Sequence, residues 1–413
     1  MRDGGIILLE PPASNRATGG YRFNDALIRV LQEGRRLRLT PAAVARAAGG
    51  ATRAGRSPLR SAQDRYRTPA PARGVSPEPA APSIFLVDSL YLRHPAAMGA
   101  LRRLRRAGAR CILLAHLLPS QERPGRYARA VRRRRERAAL RTFDGAVAPS
   151  RFMQSALATR GVPETRIAVV EPPDGRADAS GAERPASAPG AAPAPMPAEG
   201  ATTKRHGRLV SVANLHPVKN LHAVIPALPR TDSGGSTWVW EILGSRVTAP
   251  RYFHRIRRIA SMYGVAHRIR FRGVKTPEEV ASAIAHATAL LIPSRFESFG
   301  MVARTAAQLG TPIIASDVGG IPEAIGTGTD SEAGGATQAA GAAGQPDRYA
   351  RASAVLLSPT DTAGWSRAIG TALSRSDAPG PTGRAVTDRD AAATRFDFAA
   401  VTGLLRMIEE ATQ

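Results

Sequence analysis

The sequence predicts an α/β protein built from two parallel-sheet domains. Three observations carry this. Short continuous apolar runs alternate with helical patterns along the chain. The alternation occurs twice, once on each side of a stretch too poor in apolar residues to pack. The length, 413 residues, suits two domains at roughly 100–200 residues each.

In the first half, "GIILLE" reads as a strand and "FNDALIRVLQEG" as a helix. Then follow the strand "SIFLVDS", the helix "AAMGALRRLRRAG" and the strand "RCILLAH". The helix "YARAVRRRRERAALRTF", the strand "GAVAPS", the helix "RFMQSALATRG" and the strand "RIAVVEP" complete it. The second half opens with the strand "RLVSVANL" and the helix "LHAVIPAL". It continues through the strand "TWVWEILGS", the helix "PRYFHRIRRIASMYG", the strand "RIRFRG" and the helix "PEEVASAIAHA". The strand "ALLIPS", the helix "MVARTAAQLG", the strand "PIIASD" and the short helix "IPEAIG" end the pattern. Unbroken apolar strands are those of parallel sheets covered on both faces, so each half reads as Rossmann-like. Ligands of such sheets bind beyond the carboxyl ends of the strands, and the cleft facing both domains is the expected site.

Three segments lack core-forming residues: 50–82, 175–206 and 326–348. The middle one marks the domain boundary. The expected organisation is residues 1–175, a linker over 176–206, a second domain over 207–385 and a helical segment over 386–413, with 50–82 and 326–348 as low-complexity insertions.

Composition narrows the function classes. No run of about 18 apolar residues offers a membrane span. "MRDGGIILLEPPASNR" reads as a first strand rather than a signal peptide. A single cysteine, Cys111, excludes an internal disulfide framework and a Cys-rich zinc site. A cytoplasmic protein is the simplest expectation. The net charge of +25 favours anionic partners. The densest basic run, Arg132 to Arg137, reads first as a solvated helix face and second as contact with an anionic membrane surface. Nucleic acid is disfavoured, because aromatic residues are only 5% of the chain and no recognition motif is present.

The candidate site residues lie where strands end. "RFESFGMVARTAAQLG" crosses from the strand "ALLIPS" to a helix with no obvious cap. Gly300 lets backbone N–H groups approach a ligand, and the helix N-terminus favours a phosphate. Glu297 would repel a phosphate beside it and is better used on hydroxyls. A ligand with a diphosphate at one end and a polyol at the other, a nucleotide sugar, fits both. The alternative is that Glu297 only caps the helix. In "SVANLHPVKNLHAV", Asn214 ends a strand and Lys219 follows five residues on, placed to neutralise a diphosphate or simply to be solvated. Gly319 and Gly320 form a second tight loop. In the first half, Gly19 and Gly20 stand between a strand and its helix, His116 ends the strand "CILLA", and Ser150 reads as an N-cap.

Together, "LVSVANLHPVKN", "EILGS", "IRFRGVKTPEEV", "LLIPSRFESFGMVARTAAQLGTPIIASDVGGIPEAI" and "VLLSPTDTAGWSRAI" resemble family 4 glycosyltransferases of the GT-B fold. In the first half the resemblance rests on Gly19, Gly20, His116 and "GAVAPSRFM". It implies transfer of a sugar from a nucleotide sugar (a UDP-, GDP- or ADP-sugar) with retention of configuration and without a metal. The second domain would hold the donor, and the first a glycan, lipid-linked or small-molecule acceptor. Glu297 would then meet donor-sugar hydroxyls, Lys219 the diphosphate, and the backbone at Phe299, Gly300 and Met301 the sugar and phosphate. Gly273 and Val274 would line the base pocket, and His116 would lie near the reacting sugar. Two positions depart from the pattern. Thr305 stands where the family has a second Glu for the ribose, and Asn214 where it has Arg. Arg295, His216 or Arg246 can compensate. The departures leave open a non-catalytic relative that binds a glycan or a partner.

Overall fold

The computed structural model describes residues 6–10, 23, 24, 27, 35–38, 84–121, 126–172, 206–230, 237–247, 249–326 and 353–375. Gly19, Gly20, the C-terminal segment 386–413 and nearly all of the three low-complexity segments lie outside these. The described residues fall into two compact units, one up to Pro172 and the other from His206 onward. Each contains one six-stranded parallel sheet.

The first sheet has the order β2-β1-β3-β4-β5-β6. Its strands are β1 (Ile6–Glu10), β2 (Arg35–Arg38), β3 (Ile84–Asp88), β4 (Arg110–Leu114), β5 (Gly145–Ala148) and β6 (Ile167–Val169). The apolar runs of β1, β3 and β5 are buried at every position, as a sheet covered on both faces demands. The chain passes from β1 to β2 on one side and returns to β3 on the other, so strand order reverses between β1 and β3. β2, "RRLR", has no apolar run and was not foreseeable from periodicity. Three helices follow: α1 (Pro95–Arg106), α2 (Arg126–Leu140) and α3 (Arg151–Ala158). Ser150 caps α3, its hydroxyl accepting from the Met153 N–H.

Helix α2 carries the basic run. Its single acid, Glu136, turns inward and accepts from Ser120 Oγ at 2.6 Å and Arg160 Nε at 2.9 Å. Arg133, Arg134, Arg135 and Arg137 stay exposed. Cys111 is fully buried in β4, and burial pushes its thiol up to about 12.

The second sheet has the order β12-β11-β10-β7-β8-β9. Its strands are β7 (His206–Val212), β8 (Thr237–Leu243), β9 (Ile269–Gly273), β10 (Ala289–Ile292), β11 (Ile313–Ser316) and β12 (Ala354–Leu357). Here order reverses between β7 and β10. The helices are α4 (Pro250–Met262), α5 (Pro277–Ala285), α6 (Met301–Leu309), α7 (Ile321–Ala324) and α8 (Thr362–Arg375). Polar side chains help fix the strand partners. Trp240 donates to Ser211 Oγ at 3.0 Å, and that hydroxyl donates to the Leu291 carbonyl at 2.7 Å. Buried Glu241 on β8 accepts from Arg208 Nε of β7 and Arg272 Nε of β9, each at 2.6 Å.

One predicted element differs. "LHAVIPAL" is not a continuous helix but two single turns, Leu221–Ala223 and Ile225–Ala227, each of 3-10 type. Pro226 has no N–H to donate, and its ring crowds the carbonyl one turn earlier, which breaks an α-helix.

Replacement of Glu241 tests the register clamp. Burial alone would raise the Glu241 carboxyl, but hydrogen bonds from Arg272 and Arg208 outweigh it and hold it below the ordinary range. A depressed carboxyl contributes stability above its unfolded value and loses it as pH falls through the folded one. Glu241→Gln is expected to lower stability by about 1–3 kcal/mol at neutral pH. The difference from wild type should shrink below pH 4.5, the ordinary value of the group. Thermal melts across that range measure both.

Candidate active site

The loop after β7 is fastened on both sides. Ala213 N–H donates to the Leu243 carbonyl and Leu215 N–H to the Ser245 carbonyl. Gly244 lies so close that a Cβ on it would sit 2.2 Å from the Ala213 oxygen. Asn214 is spent here, its Oδ1 accepting from Ser245 N–H at 2.8 Å. The β8 loop is tied onward by the Gly244 N–H to the Gly273 carbonyl at 2.7 Å. Gly273 has φ of +74°, and Val274 beyond it is exposed.

His216 then caps the single turn Pro217–Lys219, its Nδ1 accepting from Val218 N–H. Asn220, with φ of +54°, ends that turn. The turn delivers Lys219 to the β10 loop. Its Nζ lies 2.6 Å from Glu297 Oε1, and Ser294 Oγ donates to the same oxygen at 2.7 Å. The backbones are joined as well, Arg295 N–H donating to the Val218 carbonyl at 2.8 Å. The Lys219–Glu297 pair therefore spans the reversal between β7 and β10. In open α/β sheets such a reversal is where ligands bind, because the flanking loops diverge there. Lys219 is 28% and Glu297 17% exposed, so both heads remain within reach of a ligand.

The β11 loop closes the other side. Gly320 N–H donates to the Glu297 carbonyl at 3.0 Å. Gly319 has φ of +63°, and a Cβ there would lie 1.9 Å from the Glu297 oxygen. At Gly320 it would lie 2.7 Å from Phe299 Cα. The Phe299 ring is buried with the Arg304 guanidinium 4.5 Å from its centre, so only its backbone can meet a ligand. Gly300 occupies the N-cap of α6 with φ of +106° and has no side chain with which to cap the helix. Glu297 is thus an ion-pair partner and not the cap. Half-buried Met301 opens the helix, and Thr305, one turn in, donates its hydroxyl back to the Met301 carbonyl at 3.0 Å.

The first unit holds a second polar group at the carboxyl ends of its strands. His116 Nε2 lies 2.7 Å from Asn24 Oδ1. Asn24 Nδ2 donates to Glu10 Oε2 at 3.2 Å and to Asp88 Oδ2 at 3.3 Å. Burial pushes the His116 imidazole below its ordinary value, against the opposing pull of Asp88 and Glu10. Sequence reasoning found His116 but missed Glu10, Asn24, Asp88 and Ser294. The signal was available for the acids: each is the last residue of an apolar strand, "IILLE" and "IFLVD".

The glycine geometry ranks three substitutions. Gly319→Ala and Gly320→Ala force backbone apart, whereas a Cβ on Gly273 meets nothing within 4 Å and costs only its positive φ. The first two should each cost roughly 2–4 kcal/mol and the third about 1 kcal/mol. Denaturant unfolding of the three variants is the measurement.

Residues 197–362 match the model of the glycosyl transferases group 1, and residues 39–173 that of glycosyltransferase family 4. A D-inositol 3-phosphate glycosyltransferase of Corynebacterium diphtheriae is 40% identical over 82 residues, 20% of this chain and 18% of that protein. One from Corynebacterium efficiens is 35% identical over 136 residues, 30% of each. The chain thus matches less than a third of the length of these relatives. Among solved structures, a sucrose-phosphate synthase of Thermosynechococcus elongatus has a TM-score of 0.59 at 16% identity, covering 91% of this chain and 90% of its own. Anabaena HepE in complex with UDP and glucose has 0.56 at 14%, covering 99% of each. These likenesses extend over both parallel sheets and, with the two family models, place the chain among the glycosyltransferases of family 4 type with the GT-B fold.

Proposed function

We propose that the protein moves a glycosyl group from a nucleotide sugar to an acceptor hydroxyl, with retention of configuration and without a metal ion. The observation that carries this is the Lys219–Glu297 pair across the β7/β10 reversal, beside the glycine-led N-terminus of α6. The cation and the helix N-terminus suit the charge of a departing diphosphate. Glu297 bonds Lys219 and Ser294 through Oε1, so its other oxygen is available to sugar hydroxyls. The backbone at Phe299, Gly300 and Met301 would meet sugar and phosphate, and Gly273 with Val274 the base. The acceptor falls to the first unit, with His116 serving the reaction.

The UDP and glucose of the HepE complex support a sugar nucleotide, and the D-inositol 3-phosphate relatives support a polar, anionic acceptor. A net charge of +25 agrees with such an acceptor, lipid-linked or free. No described helix is long and apolar enough to cross a membrane. A cytoplasmic location, with the exposed arginines of α2 resting on anionic lipid, completes the proposal.

The spent Asn214 Oδ1 and the back-bonded Thr305 hydroxyl favour the second reading, a non-catalytic glycan- or partner-binding relative. Calorimetry with UDP, GDP and ADP, followed by a transfer assay with the matching sugar nucleotides, separates the two. Binding of one nucleotide with turnover is the expected result, and turnover should survive a chelator.

Lys219→Ala should weaken that nucleotide about ten- to hundredfold, the loss of one charge-assisted contact, and less so at high salt. Equal affinity would remove Lys219 from the diphosphate. Glu297→Gln should abolish most turnover and bind nucleotide nearly as wild type does. Thr305→Glu frees the Met301 carbonyl and offers a carboxylate to the ribose. It should tighten the nucleotide about five- to thirtyfold, and not its 2′-deoxy form.

A further inference from the structure

We infer that Asn24 is a positioning residue that fixes His116 as the Nε2–H tautomer and leaves Nδ1 as the ring's hydrogen-bond acceptor. The consequence for turnover rests on the transfer reading above. The tautomer itself rests on geometry alone.

The amide of Asn24 sets the proton on the ring. Its side chain is fully buried, with one end toward two carboxylates and the other toward an imidazole. The amide nitrogen has two hydrogens, and Glu10 Oε2 and Asp88 Oδ2 take one each at 3.2 and 3.3 Å. Turning the amide over would aim its oxygen at both carboxylates, acceptor against acceptor, with no proton between them. Buried oxygens set against one another in that way are strongly disfavoured. The orientation is therefore fixed, and Oδ1 faces His116 Nε2 at 2.7 Å. A carbonyl oxygen only accepts, so Nε2 must carry the hydrogen. In the neutral ring Nδ1 then has the lone pair.

The anchors are themselves held. Asp88 Oδ1 accepts from Leu90 N–H at 2.8 Å, which aims Oδ2 at Asn24. Ser89 Oγ accepts from the backbone N–H groups of His116 and Leu117, both at 3.1 Å, and fixes the loop that carries the ring. Phe23 meets the imidazole edge to face, with centroids 5.1 Å apart. Glu10 ends β1 and Asp88 ends β3, so the amide bridges the reversal of the first sheet. Among the described residues, the titratable groups that face the ring are these two acids, Glu10 from β1 and Asp88 from β3. Burial favours the neutral imidazole and the acids oppose it, with burial the stronger. A neutral ring with a defined lone pair can accept a hydroxyl proton, which a ring of the other tautomer would meet with an N–H.

Nitrogen-15 spectroscopy of the histidine rings in the full chain tests this, with His116→Gln to assign the resonance. The expected wild-type state at pH 7 is neutral and protonated on Nε2. A ring protonated on Nδ1, or on both nitrogens, overturns the inference. Asn24→Leu removes the acceptor and should let the Nδ1–H form appear, whereas an unchanged Nε2–H form shows that something else sets the tautomer and also overturns it. In the transfer assay Asn24→Leu should lower kcat about ten- to a hundredfold with nucleotide affinity unchanged. Unchanged kcat in Asn24→Leu ends the positioning role. If wild type turns over no donor while the tautomer is as expected, the transfer reading fails and the tautomer assignment stands.

Discussion

The reversal of strand order in a parallel sheet is the constraint on which both units depend. Strands laid side by side in one direction send their connections over alternate faces only where the order turns back. At that point the two flanking loops part, and the sheet itself has nothing to fill the gap. Each unit bridges it with polar side chains from the strand ends and the segments that follow them. In the second unit Lys219 meets Glu297, and in the first Asn24 joins Glu10 to Asp88.

The two fillings differ in wetness, and their chemistry follows from that. Lys219 and Glu297 keep part of their surface in water, so their attraction is screened and either can be released to a ligand. Glu10, Asn24 and Asp88 are buried almost completely, where an unmatched donor or acceptor is costly. A wet pair is a place for exchange. A dry network holds one arrangement. Glycines serve the wet site by letting backbones touch, as where Gly319 lies against the Glu297 carbonyl.

Much of this was legible in the sequence. Short apolar runs such as "IFLVD" and "ALLI", alternating with helical patterns, read as buried strands, and they announced two parallel sheets. Glu297, Lys219 and the glycine pair stood at strand ends, where a reader of such sheets looks first. What stayed hidden depends on the third dimension. β2 is all arginine and leucine, and only pairing with β1 makes it a strand. Pro226 is the exception: it stands in plain view in "LHAVIPAL", and the break it makes is local chemistry that apolar spacing alone passes over. Asn24 looks like any polar residue near a helix start, because the acids it bridges are 14 and 64 positions away. The engagement of Asn214 with Ser245 was equally invisible, since the partner is a backbone N–H on another loop.

The lone thiol has a practical consequence. Cys111 is sealed inside β4 with its proton held up to about pH 12, so it is nearly inert toward thiol reagents while the fold is intact. The native chain is therefore already a silent background for site-directed labelling. One cysteine introduced on the exposed side of α2 and one on α4 would be the only reactive pair, and fluorophores or spin labels on them would report distances between the two units in solution without any native residue having to be removed.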